Sequence, residues 1–184
     1  MPAESYSDSS RISGRFVSLF PKLRAILGVK TVGLVSLPPL SAWNATSRCV
    51  VDGSSELGTG PGGDAGYRVS SPNYFQVMRI PLRGGRELED ADGPGSPHVA
   101  IIKEAAARRN WQGESPLGHR IRFPGMDDHR DILLPIVGVV SAAHARGRDA
   151  PPTAEIHLTS ARLPAPRAGP ATLLAASARP PPLL

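Results

Sequence analysis

Apolar positions along the first third of the chain follow two different periods. Between residues 16 and 27 they recur every three or four positions, which predicts a helix that is kinked at Pro21 or restarts near it. Gly28 is a typical C-terminal stop for such a helix. The β-branched run Lys30–Leu37 follows and ends before a Pro-Pro pair, which predicts a strand. A helix that leads into a strand through a single glycine indicates compact packing of the two.

The rest of the pattern alternates between short strands and short helices. A helix is predicted after Ser71 as its cap and Pro72 as its first position, with Tyr74, Phe75 and Met78 on one face. A second helix is predicted in the alanine-rich stretch KEAAARRNW. Strands are predicted at 47–53, 98–104, 119–123, 132–140 and 154–159. We therefore expect an α+β fold with mixed sheets, short packed helices and two small subdomains.

Composition divides the chain into one structured region and two ends. Residues 1–14 are expected to be a flexible N-terminal segment, and residues 15–160 to form the domain. Residues 161–184 contain six Pro and seven Ala and no acidic residue, so we expect a disordered Pro/Ala-rich tail. The longest nearly apolar run, residues 132–143, is shorter than the roughly 20 residues that cross a bilayer. No secretory signal precedes the domain, and the chain alone is expected to be soluble.

The charge balance leaves one alternative class of function open. The chain has 21 Lys and Arg against 16 Asp and Glu, a formal net charge of +5, and its aromatic content is 5%. A small basic α+β protein that binds nucleic acid or another polyanion is therefore one reading, although the cations are scattered rather than gathered with aromatics on one face. Heparin retention that falls steeply with salt would favour it. The single cysteine, Cys49, excludes an internal disulfide.

The motifs that suggest catalysis or cofactor binding lack their required context. GTGPGG at residues 58–63 matches a dinucleotide fingerprint but does not join a strand to a helix. His129-Arg130-Asp131 matches a kinase catalytic loop, yet Ile136 occupies the position that needs a magnesium-binding Asn. The acids at 87, 89, 90 and 92 lie in a surface loop without the apolar cover that a general acid needs. We therefore predict no catalytic residue, no cofactor and no metal.

Three segments in order resemble a known family. GYRVSSPNYFQVMRIPLRGGRELEDAD, HVAIIKEAAARRNWQGESPLGHRIRF and IVGVVSAAHARGRDAPPTAEIHL are similar to the MacB-like periplasmic core domain of ABC-type permeases, in the FtsX-like/MacB-like permease family. The resemblance covers roughly residues 15–160. It rests on Ser71-Pro72, Tyr74-Phe75, Gly85-Arg86, Trp111, Gly113, Glu114, Pro116, Leu117, Gly118, Ile121 and Val137–Val140.

Most of these residues are expected to have structural roles. Tyr74 and Phe75 would anchor the first short helix to the sheet, Gly85 would permit a turn, and Arg86 would pair with a carboxylate or cap a carbonyl. Trp111 and Pro116 would close the second helix against the strand at Ile121. The predicted structural set is Tyr74, Phe75, Gly85, Arg86, Trp111, Gly113, Pro116, Gly118 and Gly138.

The resemblance implies an extracytoplasmic module of a permease with four membrane helices. In such transporters a cytoplasmic ABC ATPase drives motions that pass through the membrane helices to periplasmic lobes, which move substrates or act on partners. The resemblance thus implies a non-catalytic lobe at the periplasmic side of the inner membrane. Its implied partners are the ATPase subunit and, beyond it, a second permease half or a periplasmic protein; no nucleic acid is implied.

The chain departs from the family pattern at a few positions. Lys103 stands where the family more often has Asn, and Ala106 where a larger apolar residue is usual. His157 and Thr159 replace a common Tyr and Pro, and Arg83-Gly84 changes the order before Gly85. The Pro/Ala tail stands where the domain would return to the bilayer. We therefore expect a fragment of a longer permease gene, and a frameshift is one way in which such a fragment could arise.

Overall fold

The computed structural model describes residues 19–38, 45–53, 64–93, 96–124, 132–141, 154–159 and 172–177, and these residues form an α+β fold. The elements in chain order are a helix α1 at 19–24, strands β1 (Val29–Val35), β2 (Thr46–Arg48), β3 (Val50–Val51) and β4 (Asp64–Ser70), helix α2 (Tyr74–Val77), strand β5 (Leu82–Gly85), a 3₁₀ turn (Asp90–Asp92), strand β6 (Ala100–Lys103), helix α3 (Glu104–Trp111), and strands β7 (Arg120–Arg122), β8 (Leu134–Val140), β9 (Glu155–Thr159) and β10 (Thr172–Ser177). The predicted α+β class with short helices is confirmed.

The strands join into one connected sheet in the order β10-β1-β4-β9-β6-β8-β7-β3, with β2 added to β4 and β5 added to β8. The β4–β9 and β6–β8 pairs are parallel, whereas the other pairs are antiparallel. The sheet is therefore mixed, as the sequence predicts. The division into two small subdomains stays a prediction.

The sheet has an apolar core on each face. Successive side chains of a strand point to opposite faces, so Ala100 and Ile102 of β6 belong to one core and Ile101 to the other. The first core contains Trp111 of α3. The second lies under α2 and contains Tyr74 of that helix. Both faces of the central strands are thus excluded from water.

The strand predicted at 47–53 is divided at Cys49. On one side of this residue β2 pairs with β4, and on the other side β3 pairs with β7. The short stretch therefore contacts two separate parts of the sheet. The helix predicted at 16–27 is described at 19–24, where it includes Pro21, and residues 16–18 lie outside the described residues.

The prediction of a disordered tail over 161–184 is wrong for Thr172–Ser177. These residues form β10, which pairs antiparallel with β1 from Val35 opposite Thr172 to Val29 opposite Ser177. A segment too poor in apolar residues to build its own core can still add a strand, because its backbone groups bond to a strand that already exists. The rest of the tail, the 1–14 segment, the GTGPGG motif and the His129 motif lie outside the described residues.

The start of α2 also differs from the prediction that Ser71 caps it. The N-cap residue is Asn73, which has φ of 67° and makes no side-chain capping bond. The Ser71 hydroxyl instead accepts the Leu34 N–H at 2.8 Å and donates to the Pro72 carbonyl at 3.0 Å. Ser71 therefore ties β1 to the turn that precedes α2.

Cys49 should not react with thiol reagents in the folded chain. Its side chain is buried, and burial raises the pKa of the thiol to about 12, so the reactive thiolate is scarce. We expect alkylation by iodoacetamide at pH 8 to be at least about 100-fold slower in native buffer than in urea, because it requires opening of the structure. Mass spectrometry of quenched time points measures this ratio. Equal rates in the two conditions would show that the site is accessible.

Candidate functional site

The two predicted aromatic anchors, Tyr74 and Phe75, belong to α2, and their rings face the sheet. Tyr74 and Phe75 are each 1% exposed, and their rings meet edge to face with centroids 5.1 Å apart. They share a core with Val35 of β1, Ile101 of β6 and Val140 of β8. This short helix therefore covers three different strands, which makes it a clamp across the middle of the sheet.

Gly85 and Gly138 lie opposite each other where β5 meets β8. Gly85 has φ of +72°, which favours glycine, and a Cβ added there would lie 2.1 Å from the Val137 carbonyl oxygen. A Cβ added at Gly138 would lie 2.2 Å from the Arg86 carbonyl oxygen. Both obstructing atoms belong to backbone. The two strands therefore approach each other more closely than any side chain at these positions allows.

Arg86, directly after this contact, joins β5 to the acidic turn. Its guanidinium donates to both carboxylate oxygens of Asp92, at 2.7 and 2.8 Å, and to the Glu87 carbonyl at 3.0 Å. The Asp92 carboxylate also accepts the Glu89 N–H at 2.8 Å. Asp92 is buried, whereas Glu89 and Asp90 are exposed. Asp92 is therefore the buried carboxylate of the acidic cluster, and Glu87 is half-buried.

Replacing Asp92 with asparagine should cost about 1–2 kcal/mol of unfolding free energy at pH 7, because it breaks a bidentate pair with a partly exposed arginine. The hydrogen bond from Arg86 lowers the pKa of Asp92, so its contribution is present above about pH 3.9 and is lost as the pH falls further. Urea unfolding of both forms at pH 7 and pH 3 measures this. Glu89→Gln is the matched control, since Glu89 lies 3.8 Å from Arg86 and is exposed. An equal loss in the two variants would contradict a special role for Asp92.

The second predicted anchor group lies around the end of α3. Trp111 is buried in the same core as Ile121, and its ring centroid lies 5.6 Å from that of His119. Pro116 is buried, and its carbonyl accepts the His119 N–H at 3.2 Å. The glycines of this turn, Gly113 and Gly118, have φ of +105° and +84°.

The predicted structural residues thus fall into two groups. The Gly118 N–H donates to the Ile136 carbonyl at 3.0 Å. The turn that follows α3 therefore runs along β8, in line with β5. Leu117 contacts the same region, because its side chain lies 2.8 Å from a Cβ added at Gly85. Trp111 belongs to the core on the opposite face from Tyr74 and Phe75. The turn after α3 therefore connects the two groups at β8.

Beneath α2 lies a buried charged cluster that the sequence reasoning missed. We name Arg68, Lys103, Glu155 and His157 the buried charge cluster; all four side chains are almost completely excluded from solvent. Glu155 is its centre: one carboxylate oxygen accepts Arg68 Nε and the other accepts Lys103 Nζ at 2.6 Å. His157 Nε2 lies 3.4 Å from the first oxygen.

Sheet register brings these residues onto one face. Gly66 and Arg68 of β4 pair with Glu155 and His157 of β9, and the antiparallel ladder from β6 brings Lys103 level with Glu155. Ser70, one step further on β4, places its hydroxyl 2.8 Å from His157 Nδ1. The Arg68 guanidinium also donates to the Leu37 and Pro38 carbonyls. Four separate chain segments therefore converge beneath α2.

The electrostatics of this cluster favour an ionised glutamate and a neutral histidine. Burial alone would raise the pKa of Glu155, yet the neighbouring His157, Lys103 and Arg68 outweigh it and lower that pKa well below its usual value. Burial is the main cause that lowers the pKa of His157; Lys103 and Arg68 lower it further, and Glu155 opposes them. Burial, together with the charge of Glu155, also raises the pKa of Tyr74.

The alternation of Glu155, His157 and Thr159 is the signal that could have revealed this cluster. Such a pattern is typical of a strand with one face in water, but here that face is covered. Lys103 and His157 meet at Glu155, because Lys103 Nζ lies 2.6 Å and His157 Nε2 lies 3.4 Å from its two carboxylate oxygens. Within the described residues no three His, Cys, Asp or Glu side chains are placed to hold a metal ion.

The fold is that of periplasmic domains of bacterial permeases. The structure of the periplasmic region of MacB from Actinobacillus actinomycetemcomitans matches with a TM-score of 0.57 at 16% identity, over 90% of this chain and 66% of that one. A domain of a putative permease protein from Porphyromonas gingivalis matches with the same TM-score, 0.57, and the same 16% identity, over 90% of this chain and 69% of that one. The chain thus spans about two thirds of these relatives.

The family model of the MacB-like periplasmic core domain matches residues 13–180, and the chain belongs to this family. The resemblance drawn from the sequence is therefore confirmed. No curated protein sequence matches the chain. In the part of the chain that the structure describes, no helix has the length and apolar character needed to cross a membrane.

Proposed function

We propose that this chain forms the extracytoplasmic domain of an ABC transporter permease and transmits ATP-driven motion without chemistry of its own. The observation that supports the proposal best is the backbone interlock at Gly85 and Gly138. Two strands that meet without room for a side chain cannot slide past each other without a steric clash. The neighbouring Arg86–Asp92 pair fixes the turn that follows.

The elements around the interlock extend this stiffness across the sheet. Helix α2 covers β1, β6 and β8 through its two buried rings, and the buried charge cluster joins β4, β6 and β9. A displacement applied at one strand is therefore passed to the others as a movement of the whole body. Stiffness of this kind suits a part that transmits motion better than one that closes around a substrate.

The partners follow from the family. The domain would stand at the periplasmic side of the inner membrane, and the ATPase subunit would act on the cytoplasmic side through the membrane part of the permease. A second permease half or a periplasmic protein would receive the motion.

Distance measurements between spin labels test this proposal. We would join the full chain to the membrane segments of a related permease, reconstitute it with its ATPase, and label Arg83→Cys on β5 and Arg109→Cys on α3, which are both exposed. The distance between the two labels within one domain should stay the same with and without ATP. Distances between labels on the two copies of the permease should change.

Two results would contradict the proposal. A distance within the domain that broadens with ATP would show that the domain deforms instead of moving as a body. Unchanged distances between the domains, with normal ATP hydrolysis, would show that no motion reaches it. An ATPase variant that binds but does not hydrolyse ATP is the control for the nucleotide-bound state. The native Cys49 should remain unlabelled, because its side chain is buried.

A further inference from the structure

His157 is the member of the buried charge cluster that contacts the aromatic rings of α2. The side chain is 1% exposed, and its ring centroid lies 4.8 Å from that of Phe75 and 5.4 Å from that of Tyr74. The two rings that hold α2 on the sheet therefore rest on this imidazole. A change in the charge of His157 acts directly on the underside of the helix.

The groups that face His157 come from every element packed around it. Glu155 lies two residues away on β9, Arg68 comes from β4, Lys103 from β6, and the uncharged Tyr74 phenol from α2. The uncharged Ser70 hydroxyl bonds Nδ1 at 2.8 Å. With a neutral imidazole the cluster carries two positive charges and one negative charge. Protonation would add a third positive charge beside the single carboxylate of the cluster, among side chains that are almost completely excluded from solvent.

The hydrogen-bonding groups around His157 cannot stabilise a positive charge on its ring unless another hydrogen bond of the cluster is weakened. The Ser70 hydroxyl can accept a hydrogen bond from Nδ1–H, but Nε2 has no hydrogen-bond partner among the described residues. The nearest acceptor for Nε2 is the Glu155 oxygen that already accepts Arg68. A protonated ring would therefore compete with Arg68 for one carboxylate oxygen. Exposure to water relieves this competition, and α2 is the cover that must move to permit it.

We propose that His157 is an acid-sensitive latch, which holds α2 on the sheet when the imidazole is neutral and releases the helix when it is protonated. The proposal goes beyond transmission of motion, because it makes the attachment of α2 depend on the pH around the domain.

The direction of the pH effect follows from the burial of His157. Its pKa is lower in the closed structure than in a water-exposed imidazole, so the open state binds the proton more tightly. Closure of α2 is therefore fully favourable above about pH 6.5 and weakens as the pH falls below that value. The opening constant can rise by up to about tenfold for each pH unit below 6.5, until the closed state also becomes protonated.

Hydrogen exchange of the full chain between pH 7.5 and 5.0 tests the latch. The reporters are the amides of Val77, Met78 and Ile80, which bond to carbonyls within and just before α2. After correction for intrinsic exchange rates, their opening constants should rise by up to about tenfold per unit below pH 6.5. Amides of β8, such as those paired with β6, should keep their protection over the same range.

Two variants separate the latch from general acid sensitivity. His157→Tyr removes the titrating group and should make the opening constants of α2 independent of pH in this range. Lys103→Asn removes one facing cation, so protonation of His157 becomes easier and the pH dependence should be shallower than in the wild type. Because Lys103→Asn keeps His157, it still tests the latch if the tyrosine variant does not fold.

Three results would overturn the proposal. The first is a pH-independent opening of α2 in the wild type. The second is the same pH dependence in wild type and Lys103→Asn, which would place the sensitive group elsewhere. The third is equal loss of protection in α2 and β8, which would show that acid unfolds the whole sheet without first releasing the helix.

Discussion

Replacing Glu155 with glutamine is expected to lower the free energy of unfolding by about 4 kcal/mol, close to the limit that a domain of this size tolerates. The substitution keeps the shape of the side chain but removes the negative charge that the buried Arg68 and Lys103 side chains both contact. Breaking a buried ion pair from one side costs far more than the pair contributes when intact. Urea unfolding followed by circular dichroism at pH 7 measures the loss.

The matched control for this variant is Glu104→Gln on α3. Glu104 pairs with Arg108 at 2.6 Å on the helix surface, where Arg108 is 77% exposed, so its loss should cost less than about 0.5 kcal/mol. Adding Lys103→Asn to Glu155→Gln should recover more than about 1 kcal/mol, because the two sites are coupled. Equal stability of Glu155→Gln and the control would show that the cluster is hydrated.

The difference in unfolding free energy between the wild type and Glu155→Gln should depend on pH in one direction. The neighbours of Glu155 lower its pKa in the folded chain, so its stabilising effect is present above the unfolded value of about 4.3 and is lost as the pH falls below it. The gap between wild type and Glu155→Gln should therefore narrow in acid. The effect of His157 begins at a higher pH, as the pH falls below about 6.5, so the two effects can be measured separately.

A single methyl group at Gly138 should destabilise the fold by about 3 kcal/mol or more. The new Cβ would lie 2.2 Å from the Arg86 carbonyl oxygen and 3.3 Å from its carbonyl carbon. Both atoms belong to backbone that is held by β8 through the Arg86 N–H bond to Val137 at 2.9 Å, so relief requires separation of the strands. Thermal and urea unfolding of Gly138→Ala measure the loss.

Gly66→Ala on β4 is the control for this substitution. It is also a strand glycine, but its added Cβ would lie 3.5 Å from the Ala154 carbonyl oxygen, an ordinary contact, and its φ requires no glycine. Alanine there should change stability by less than about 0.5 kcal/mol, or raise it slightly by restricting the unfolded chain. Comparable losses at both positions would show that the interlock is not the cause.

The sequence predicts those parts of the fold that depend on local pattern. Short helices with buried Tyr74, Phe75 and Trp111 follow from helical spacing, and the strands follow from β-branched runs between Gly and Pro residues. The family resemblance adds the class of domain, because the order of several weak motifs carries more information than any one of them. The role of these residues in transmission stays a prediction.

The parts that could not be predicted depend on which strands become neighbours. The alternation at Glu155 and His157 indicates one polar face, but only the positions of β4 and β6 on either side show that the face is covered. Likewise, Gly138 is one glycine in an apolar run until β5 approaches it. The strand Thr172–Ser177 was missed because composition describes what a segment can bury, whereas edge pairing depends on the partner.

The pairing of β1 with β10 also determines how the domain responds to force. Val29 and Ser177 lie side by side, so the chain enters and leaves the sheet at the same end of these two strands. Pulling these points apart would unzip the ladder one bond at a time, which is the direction of weakest mechanical resistance. A load that moves both points together avoids this peeling.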